Sequence, residues 1–250
     1  MVDVMTPVID VKNLTKKYGD ITAVDHVNYS IEESEIFGLL GPNGAGKTTT
    51  ILMLLGLIRP TEGTAVVNGA DIIQDPLLAR KNVGLLPENA GFYENLTAKQ
   101  NLSFYAELAE VPNDAAASRI EKLIDLVGLS EKREAKVSAF SRGMRQRLGI
   151  AQSLVRDPKI LILDEPTQGI DPEGTRDMRE LIRLLSKEQG KTVIFTTHLL
   201  HEINRLCDRV AIMKQGAVIA LGTIPDLRRQ VDAQEGEDFE EVFLRYQGVM

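Results

Sequence analysis

Hydrophobic and polar positions along the first sixty residues predict two kinds of strand and then a helix. Alternating apolar positions predict strands over residues 8–11 and 21–31, with a turn at residues 18–20 between them. The continuous apolar run at residues 36–40 predicts a strand that is covered on both faces. A cluster of helix-breaking residues follows, and residues 47–58 then have the length and apolar spacing of a helix. A strand, a glycine-rich loop and a helix are therefore expected without a gap.

The middle of the chain changes from strand to helical periodicity. Residues 62–69 predict a hairpin, and residues 83–86 predict another buried strand. Apolar residues at helical spacing then predict two helices over residues 97–128. We expect this helical region to continue to about residue 155, as a helical subdomain inserted into an α/β core.

The last third returns to alternating strands and helices. The elements predicted in chain order are a strand at 160–163, a helix at 172–188, a strand at 192–197, a helix at 199–207, and strands at 210–213 and 217–221. This order predicts a mainly parallel sheet flanked by helices, in a domain that we place at residues 1–232. Residues 233–250 are expected to form an acidic linker, at 234–238, and a short terminal helix, at 239–246.

Composition and charge exclude several classes of protein. A net charge of −7 argues against a nucleic-acid groove, so we expect no nucleic-acid partner. The longest apolar run covers only residues 51–58, far below the roughly 20 residues that span a bilayer. If the protein works at a membrane, another chain must provide the span. No secretory signal is visible at the N-terminus, and the single cysteine, Cys207, excludes an internal disulfide.

The loop after the strand at 36–40 matches the phosphate-binding pattern GxxxxGK[ST]. Glycines allow successive backbone N–H groups to turn toward phosphates, and the following helix adds its dipole. Lys47 is expected to reach the β- and γ-phosphates, and the Thr48 hydroxyl to bind Mg²⁺. The expected nucleotide-binding residues of this loop are Gly41, Pro42, Asn43, Gly44, Ala45, Gly46, Lys47, Thr48 and Thr49. A chance glycine turn is the alternative, and small-molecule kinases, GTPases and motor ATPases share the loop.

A second candidate site lies where the strand at 160–163 ends in two acids. Strand alternation predicts that Asp164 and Glu165 point to opposite sides, so that Asp164 binds the metal while Glu165 acts as a general base. Solvated acids at a strand end are the alternative. His198 ends the strand at 192–197 and is expected in the same crevice, although a structural histidine is the commoner case. His26 and His201 are interpreted as structural or surface residues.

The order of these motifs resembles the nucleotide-binding ATPase subunit of ABC transporters, over residues 8–221. Residues 41–49 are similar to the Walker A loop, and residues 160–165 to Walker B with its catalytic Glu165. The other segments that match the family pattern are Tyr18 for the adenine-stacking aromatic, residues 141–144 for the signature, residues 169–172 for the D-loop and His198 for the switch histidine.

The resemblance implies a head-to-tail dimer that holds two ATP molecules, with Mg²⁺, between its subunits. Each phosphate loop would face the partner's signature segment, which here is Ser141, Arg142, Gly143 and Met144. Asp171 would lie at the dimer seam. Lys47, Glu165 and His198 would be the catalytic residues. The implied partner is an integral-membrane permease, which the helical subdomain would contact from the cytoplasmic face. The two ATPase subunits could form a homodimer or a heterodimer.

Two segments depart from the family pattern. Glu88 stands where the family usually has glutamine; its carboxylate could join Thr48 and Asp164 as a magnesium ligand, but it cannot donate a hydrogen bond. The signature has Phe140 for leucine, Arg142 for the first glycine and Met144 for glutamine. Arg142 would add positive charge near the partner's phosphates. Both departures resemble the exporter branch that pairs with separate ABC-2-type permeases.

Two other function classes stay open at this point. A soluble ABC-type ATPase of translation or DNA maintenance usually has tandem cassettes or long coiled-coil insertions, and this chain has neither. An unrelated P-loop kinase or GTPase is the other alternative. No NKxD guanine-binding motif occurs, and the signature and switch segments would then have no purpose.

Overall fold

Ten strands and nine α-helices build the described part of the chain, which in the computed structural model comprises residues 7–233 and 237–248. The strands are β1 (Ile9–Tyr18), β2 (Ile21–Ile31), β3 (Ile36–Leu40), β4 (Glu62–Val67), β5 (Ala70–Asp71), β6 (Val83–Leu86), β7 (Ile160–Asp164), β8 (Thr192–Thr197), β9 (Arg209–Lys214) and β10 (Ala217–Gly222). The helices are α1 (Lys47–Leu54), α2 (Pro76–Lys81), α3 (Ala98–Leu108), α4 (Asn113–Leu126), α5 (Arg142–Ser153), α6 (Pro172–Arg183), α7 (Leu200–Leu206), α8 (Ile224–Gln230) and α9 (Phe239–Gln247).

The strands form two sheets of different character. A four-stranded antiparallel sheet has the order β2-β1-β4-β5, and a six-stranded sheet has the order β10-β9-β3-β8-β7-β6. All pairings of the larger sheet are parallel except that of β10 with β9. The predicted α/β fold, with a mainly parallel sheet, an antiparallel part and an inserted helical part, is confirmed.

The apolar runs of β3, β7 and β8 supply both faces of the larger sheet. Along β3, Ile36 and Leu40 belong to one buried cluster, whereas Phe37 and Leu39 belong to the other. Each of these side chains is fully buried. Successive residues of a strand point to opposite faces, so a strand between two cores must be apolar throughout.

The predicted helical region contains three packed helices, α3, α4 and α5. Helix α3 begins with a capping box, in which Thr97 and Gln100 satisfy each other's backbone N–H groups. The buried cluster on one face of the sheet continues into these helices through residues such as Leu102, Ile124 and Leu148. Because this packing is continuous, the position of α5 is coupled to that of the sheet.

Several predicted boundaries were wrong. Helix α1 ends at Leu54 rather than at residue 58, because the chain turns through Gly56 at φ 60°. Strand β1 extends to Tyr18, since register shifts near Asn13 break the side-chain alternation that limited the prediction to residues 8–11. The short helices α2 and α8 were not predicted.

The C-terminal helix is confirmed as α9, whereas residues 234–236 of the predicted linker lie outside the described residues. Phe239 and Val242 of this helix are buried against the main cluster. Among the residues described, no helix is both long and apolar enough to cross a membrane.

Helix α5 can approach the edge strand β6 closely because residue 84 is a glycine. A side chain at this position is therefore expected to lower the stability of the fold. A Cβ at Gly84 would lie 2.3 Å from the Ser153 carbonyl oxygen. We expect Gly84→Ala to lower the free energy of unfolding by about 1–3 kcal/mol, as overpacked substitutions do. Gly91→Ala is the control, because a Cβ there meets nothing within 4 Å. Urea denaturation of both variants measures the difference; equal stabilities would contradict the close approach.

Candidate functional site

The carboxyl ends of three parallel strands bring the candidate residues to one edge of the larger sheet. Strand β3 leads into the glycine-rich loop, β7 into Glu165 and β8 into His198. The three strands are neighbours, and the pairs Leu40–Thr197 and Asp164–Thr196 align their ends. Ligands of open α/β sheets bind at this edge.

The glycine-rich loop turns sharply before α1 begins. Gly44 and Gly46 have φ of 81° and 101°, a conformation that side chains disfavour. At Gly46 a Cβ would also lie 2.5 Å from the Ala23 carbonyl oxygen. The loop therefore approaches β2 closely just before α1 begins.

Lys47 lies under this loop as a buried cation with only oxygen partners. Its side chain is 7% exposed, and Nζ donates to the carbonyl oxygens of Gly41, at 2.7 Å, and Pro42, at 3.3 Å. Nζ also lies 3.8 Å from Glu165 Oε1. Burial lowers the pKa of Lys47, and the carboxylates of Glu165 and Asp164 oppose that effect. The ammonium is therefore held under the loop by two carbonyl oxygens, close to the Glu165 carboxylate.

Asp164 and Glu165 are both buried and both face the loop. The hydroxyl of one threonine, Thr196, forms hydrogen bonds with both residues. Thr196 Oγ1 donates to Asp164 Oδ1 at 2.5 Å and accepts from the Glu165 backbone N–H at 3.1 Å. Thr48 Oγ1 lies 3.3 Å from Asp164 Oδ2, and His198 Nδ1 lies 3.0 Å from Glu165 Oε2.

The prediction that Asp164 and Glu165 point to opposite sides was wrong. Strand β7 ends at Asp164, and Glu165 has φ 52°, outside the strand conformation on which alternation depends. His198 was expected in the same crevice: its Nδ1 contacts Glu165 Oε2, but its side chain lines another cavity rather than that of the phosphate loop.

The phosphate loop and the two acids line one cavity of about 290 Å³. Its lining residues are Ala23, Asn43, Gly44, Ala45, Gly46, Lys47, Thr48, Thr49, Glu88, Asp164, Glu165 and Gln168. The three predicted magnesium ligands, Thr48, Glu88 and Asp164, therefore line the same cavity. Tyr18 lies outside this lining, half exposed at the end of β1 with Lys16 Nζ 5.0 Å from its ring centroid.

Gln168 lines the cavity although the sequence pattern did not predict it. It follows Glu165 by three residues, and its backbone N–H donates to the Glu165 carbonyl oxygen at 3.1 Å. Its position just before residues 169–172 was the only sequence signal that could have indicated it.

The signature residues gather at a different cavity, of about 340 Å³. Ser141, Arg142, Gly143 and Met144 line it together with Asp171. Ser141 caps α5 and accepts from the Met144 N–H, while Asp171 caps α6 and accepts from the Gly174 N–H. Within the described chain the signature residues therefore do not line the phosphate-loop cavity. The N-terminus of α5 lies at the second cavity instead.

Comparisons with known proteins show which proteins this chain resembles. The family model described as ABC transporter matches residues 24–168. The bacitracin transport ATP-binding protein BcrA of Bacillus licheniformis is 43% identical over 215 residues, which are 86% of this chain and 69% of that protein. The linearmycin resistance ATP-binding protein LnrL of Bacillus subtilis is 40% identical over 219 residues, 88% of this chain and 70% of that protein.

Solved structures of similar proteins share the whole fold. An ATP-binding subunit of an ABC transporter superposes with a TM-score of 0.85 at 29% identity, covering 96% of this chain and 99% of that chain. A dimeric ATP-binding cassette in a post-hydrolysis state, bound to ADP and Pi, has a TM-score of 0.77 at 26% identity, covering 86% and 98%. An ATPase of translation or DNA maintenance, or an unrelated kinase or GTPase, is not favoured by these likenesses. The chain belongs to the ABC transporter family, in which it is an ATP-binding and ATP-hydrolysing subunit.

Proposed function

We propose that this chain is the ATPase subunit of an exporter, which hydrolyses Mg-ATP between two subunits at the cytoplasmic face of the membrane and drives a separate permease. The observation that carries the proposal is the single cavity in which Lys47, Thr48, Asp164 and Glu165 converge. Export is favoured by the relatives, since one is named for bacitracin transport and another for linearmycin resistance. Resistance by a transporter requires outward movement of the compound.

The donor set fits Mg²⁺ bound together with phosphate. Thr48 Oγ1 and Asp164 Oδ2 are 3.3 Å apart, and the Glu88 carboxylate lines the same cavity. In the described ranges, 7–233 and 237–248, no group of three or more His, Cys, Asp or Glu side chains could hold a metal alone. Mg²⁺ commonly takes one or two carboxylates and completes its shell with phosphates and water. Bound there, the ion would neutralise charge on the β- and γ-phosphates.

In this proposal, Glu165 accepts a proton from the attacking water and His198 holds Glu165. His198 Nδ1 contacts Oε2, which leaves Oε1 facing Lys47 and the cavity. Lys47 and the N–H groups of the loop hold the phosphates in line with the water. Tyr18, at the end of β1, is proposed to stack on adenine beyond the cavity.

Hydrolysis is proposed to need a second subunit. Ser141 and the Gly143 N–H, at the exposed start of α5, would bind the γ-phosphate held by the other subunit, while Asp171 lies at the seam. A similar protein forms a dimer with ADP and Pi, which supports this arrangement. Whether the second subunit is a copy of this chain or a paralogue does not alter the geometry required.

The permease is proposed to bind a groove beside the helical region. Two adjoining cavities there share Val83, Leu85 and Arg156. Exposed apolar side chains border them: Leu57, Leu77, Tyr105 and Leu108. A family member that drives transport must transmit force to membrane helices, and exposed apolar residues around a groove are typical of such a contact.

Glu165→Gln is expected to lower the ATP turnover number by at least about 100-fold, because an amide cannot act as the general base. ATP binding should persist, and the variant should accumulate as an ATP-bound dimer. Steady-state phosphate release and light scattering with and without Mg-ATP measure the two effects. Glu180→Gln, an exposed glutamate of α6, is the control. A variant that stays monomeric in saturating Mg-ATP, and in the presence of the chain's partner ATPase if there is one, would refute the two-subunit site.

Lys47→Ala is expected to weaken ATP binding by roughly 10- to 100-fold, the effect of losing a charge-assisted hydrogen bond of about 1.5–3 kcal/mol. Isothermal titration with ATP measures the affinity, and circular dichroism checks the fold. Lys81→Ala removes an exposed lysine of α2 and should bind ATP normally. Unchanged affinity in Lys47→Ala would contradict the assignment of the loop.

Leu108→Asp is expected to reduce recovery of the permease at least tenfold while ATP binding stays unchanged, because a charge at the groove would be desolvated on docking. Leu108 is 64% exposed, so the isolated subunit should fold normally. Ile21→Asp, at a 70% exposed site on β2, is the control. Affinity capture from detergent-solubilised membranes compares the two; equal recovery would exclude the groove, and recovery only with ribosomes would exclude the transporter function.

A further inference from the structure

Arg142 joins the start of helix α5 to the turn that follows Glu165. Its Nη2 donates to Gln168 Oε1 at 2.8 Å. The rest of the side chain lies against Gly169, where a Cβ would fall 2.9 Å from Nε and 3.0 Å from Cδ. Gly169 has φ 69°, so the turn is both left-handed and in close contact with the arginine. The arginine thus makes a hydrogen bond and a packing contact with one short segment.

Gln168, the acceptor of this hydrogen bond, also belongs to the phosphate-loop cavity. It lines that cavity together with Glu165, and its own N–H donates to the Glu165 carbonyl oxygen. Arg142 itself lines the other cavity, with the signature residues. Gly169, the next residue in the chain, also lines the second cavity, so this side-chain pair adds a hydrogen bond across the point where the two cavities meet along the chain.

Helices α5 and α6 make further contacts along the same direction. A Cβ at Gly143 would lie 3.4 Å from Ile170 Cγ2, so the two segments are in van der Waals contact. Arg147 Nη2 lies 2.6 Å from Asp177 Oδ2 one turn later. These contacts attach α5 to α6. In the described structure, only the hydrogen bond from Arg142 to Gln168 joins α5 to a residue that lines the same cavity as Glu165.

We propose that Arg142 is a positioning residue, which fixes Gln168 and hence the backbone beside Glu165 relative to the signature segment of the same subunit. The inference rests on the proposed two-subunit site. There, Glu165 serves the subunit's own ATP while Ser141 and Gly143 serve the partner's. A subunit whose two segments move together transmits closure at one ATP to the other, so the two sites of the dimer close jointly.

A direct role for Arg142 as a cation near the partner's phosphates makes different predictions. It requires the charge at position 142 and gives Gln168 no part. The positioning role requires the pair and is indifferent to which member carries the charge. A double-mutant cycle and an exchange of the two side chains separate the two roles.

The cycle uses the Glu165→Gln background, in which the ATP concentration for half-maximal dimer formation is measured by light scattering. We expect Arg142→Ala and Gln168→Ala each to raise that concentration about fivefold, and the double variant also about fivefold, because both remove one interaction. Arg176→Ala, an exposed arginine of α6, should leave it within about twofold. A double variant near the product of the single effects, or a Gln168→Ala without effect, would overturn the proposal.

The exchange variant, Arg142→Gln with Gln168→Arg, restores the pair with its charge on the other member. We expect its midpoint to return to within about twofold of the parent, whereas Arg142→Gln alone stays about fivefold higher. Failure of the exchange to restore the midpoint, with normal thermal unfolding, would assign Arg142 to direct phosphate contact.

Amide hydrogen exchange of the nucleotide-free subunit tests the same contact without requiring a dimer. We expect Arg142→Ala to accelerate exchange over residues 168–174 about fivefold, because the turn loses its attachment to α5. Arg176→Ala should leave this segment unchanged. Unchanged exchange in Arg142→Ala would overturn the positioning role, whereas failure of the Glu165→Gln parent to dimerise would overturn the two-subunit site alone.

Discussion

The register of three parallel strands determines the catalytic edge of this protein. Strand β8 lies between β3 and β7, and its Thr196 pairs with Asp164 while Thr197 pairs with Leu40. The fully buried Thr196 hydroxyl then contacts both the Asp164 carboxylate and the Glu165 N–H. A shift of one residue in this register would turn each of these side chains to the opposite face of the sheet. The apolar faces of the strands prevent that shift, so the packing of the core sets the geometry of the acids.

Burial raises the free-energy cost of the charged groups at this edge of the sheet. Lys47, Asp164 and Glu165 are each at most 7% exposed, and charges removed from water are costly unless they find partners. The loop carbonyl oxygens, two threonine hydroxyls and His198 supply those partners. The lowered pKa of Lys47 indicates that its partners do not fully compensate the loss of water. A triphosphate would place further oxygen atoms around the ammonium, and its metal ion would offset the carboxylates that line the same cavity.

The division of the candidate residues between two cavities has a mechanical consequence. In the proposed dimer, the phosphate loop and the acids would form half of one nucleotide site, and the signature segment at the start of α5 would form half of the other. Helix α5 packs on β6, at the close approach of Gly84 to Ser153, so the second half moves with the sheet that carries the first. The pair Arg142–Gln168 makes a second and more local connection. In the proposed dimer, such a linkage would let the chemistry at one nucleotide alter the geometry presented to the other.

Local sequence determined the loop, the strands that lead into it and the two acids, because glycine spacing and uninterrupted apolar runs report on backbone conformation directly. It also predicted His198 near Glu165, since neighbouring parallel strands end at one edge. Tertiary structure alone decided that Asp164 and Glu165 face the same cavity, because Glu165 adopts a left-handed turn in which its N–H donates to the Thr196 hydroxyl of the neighbouring strand. It alone brought in Gln168 and joined it to Arg142, twenty-six residues away in the chain. Contacts between side chains that are distant in sequence leave no periodic pattern, so only the packed chain reveals them.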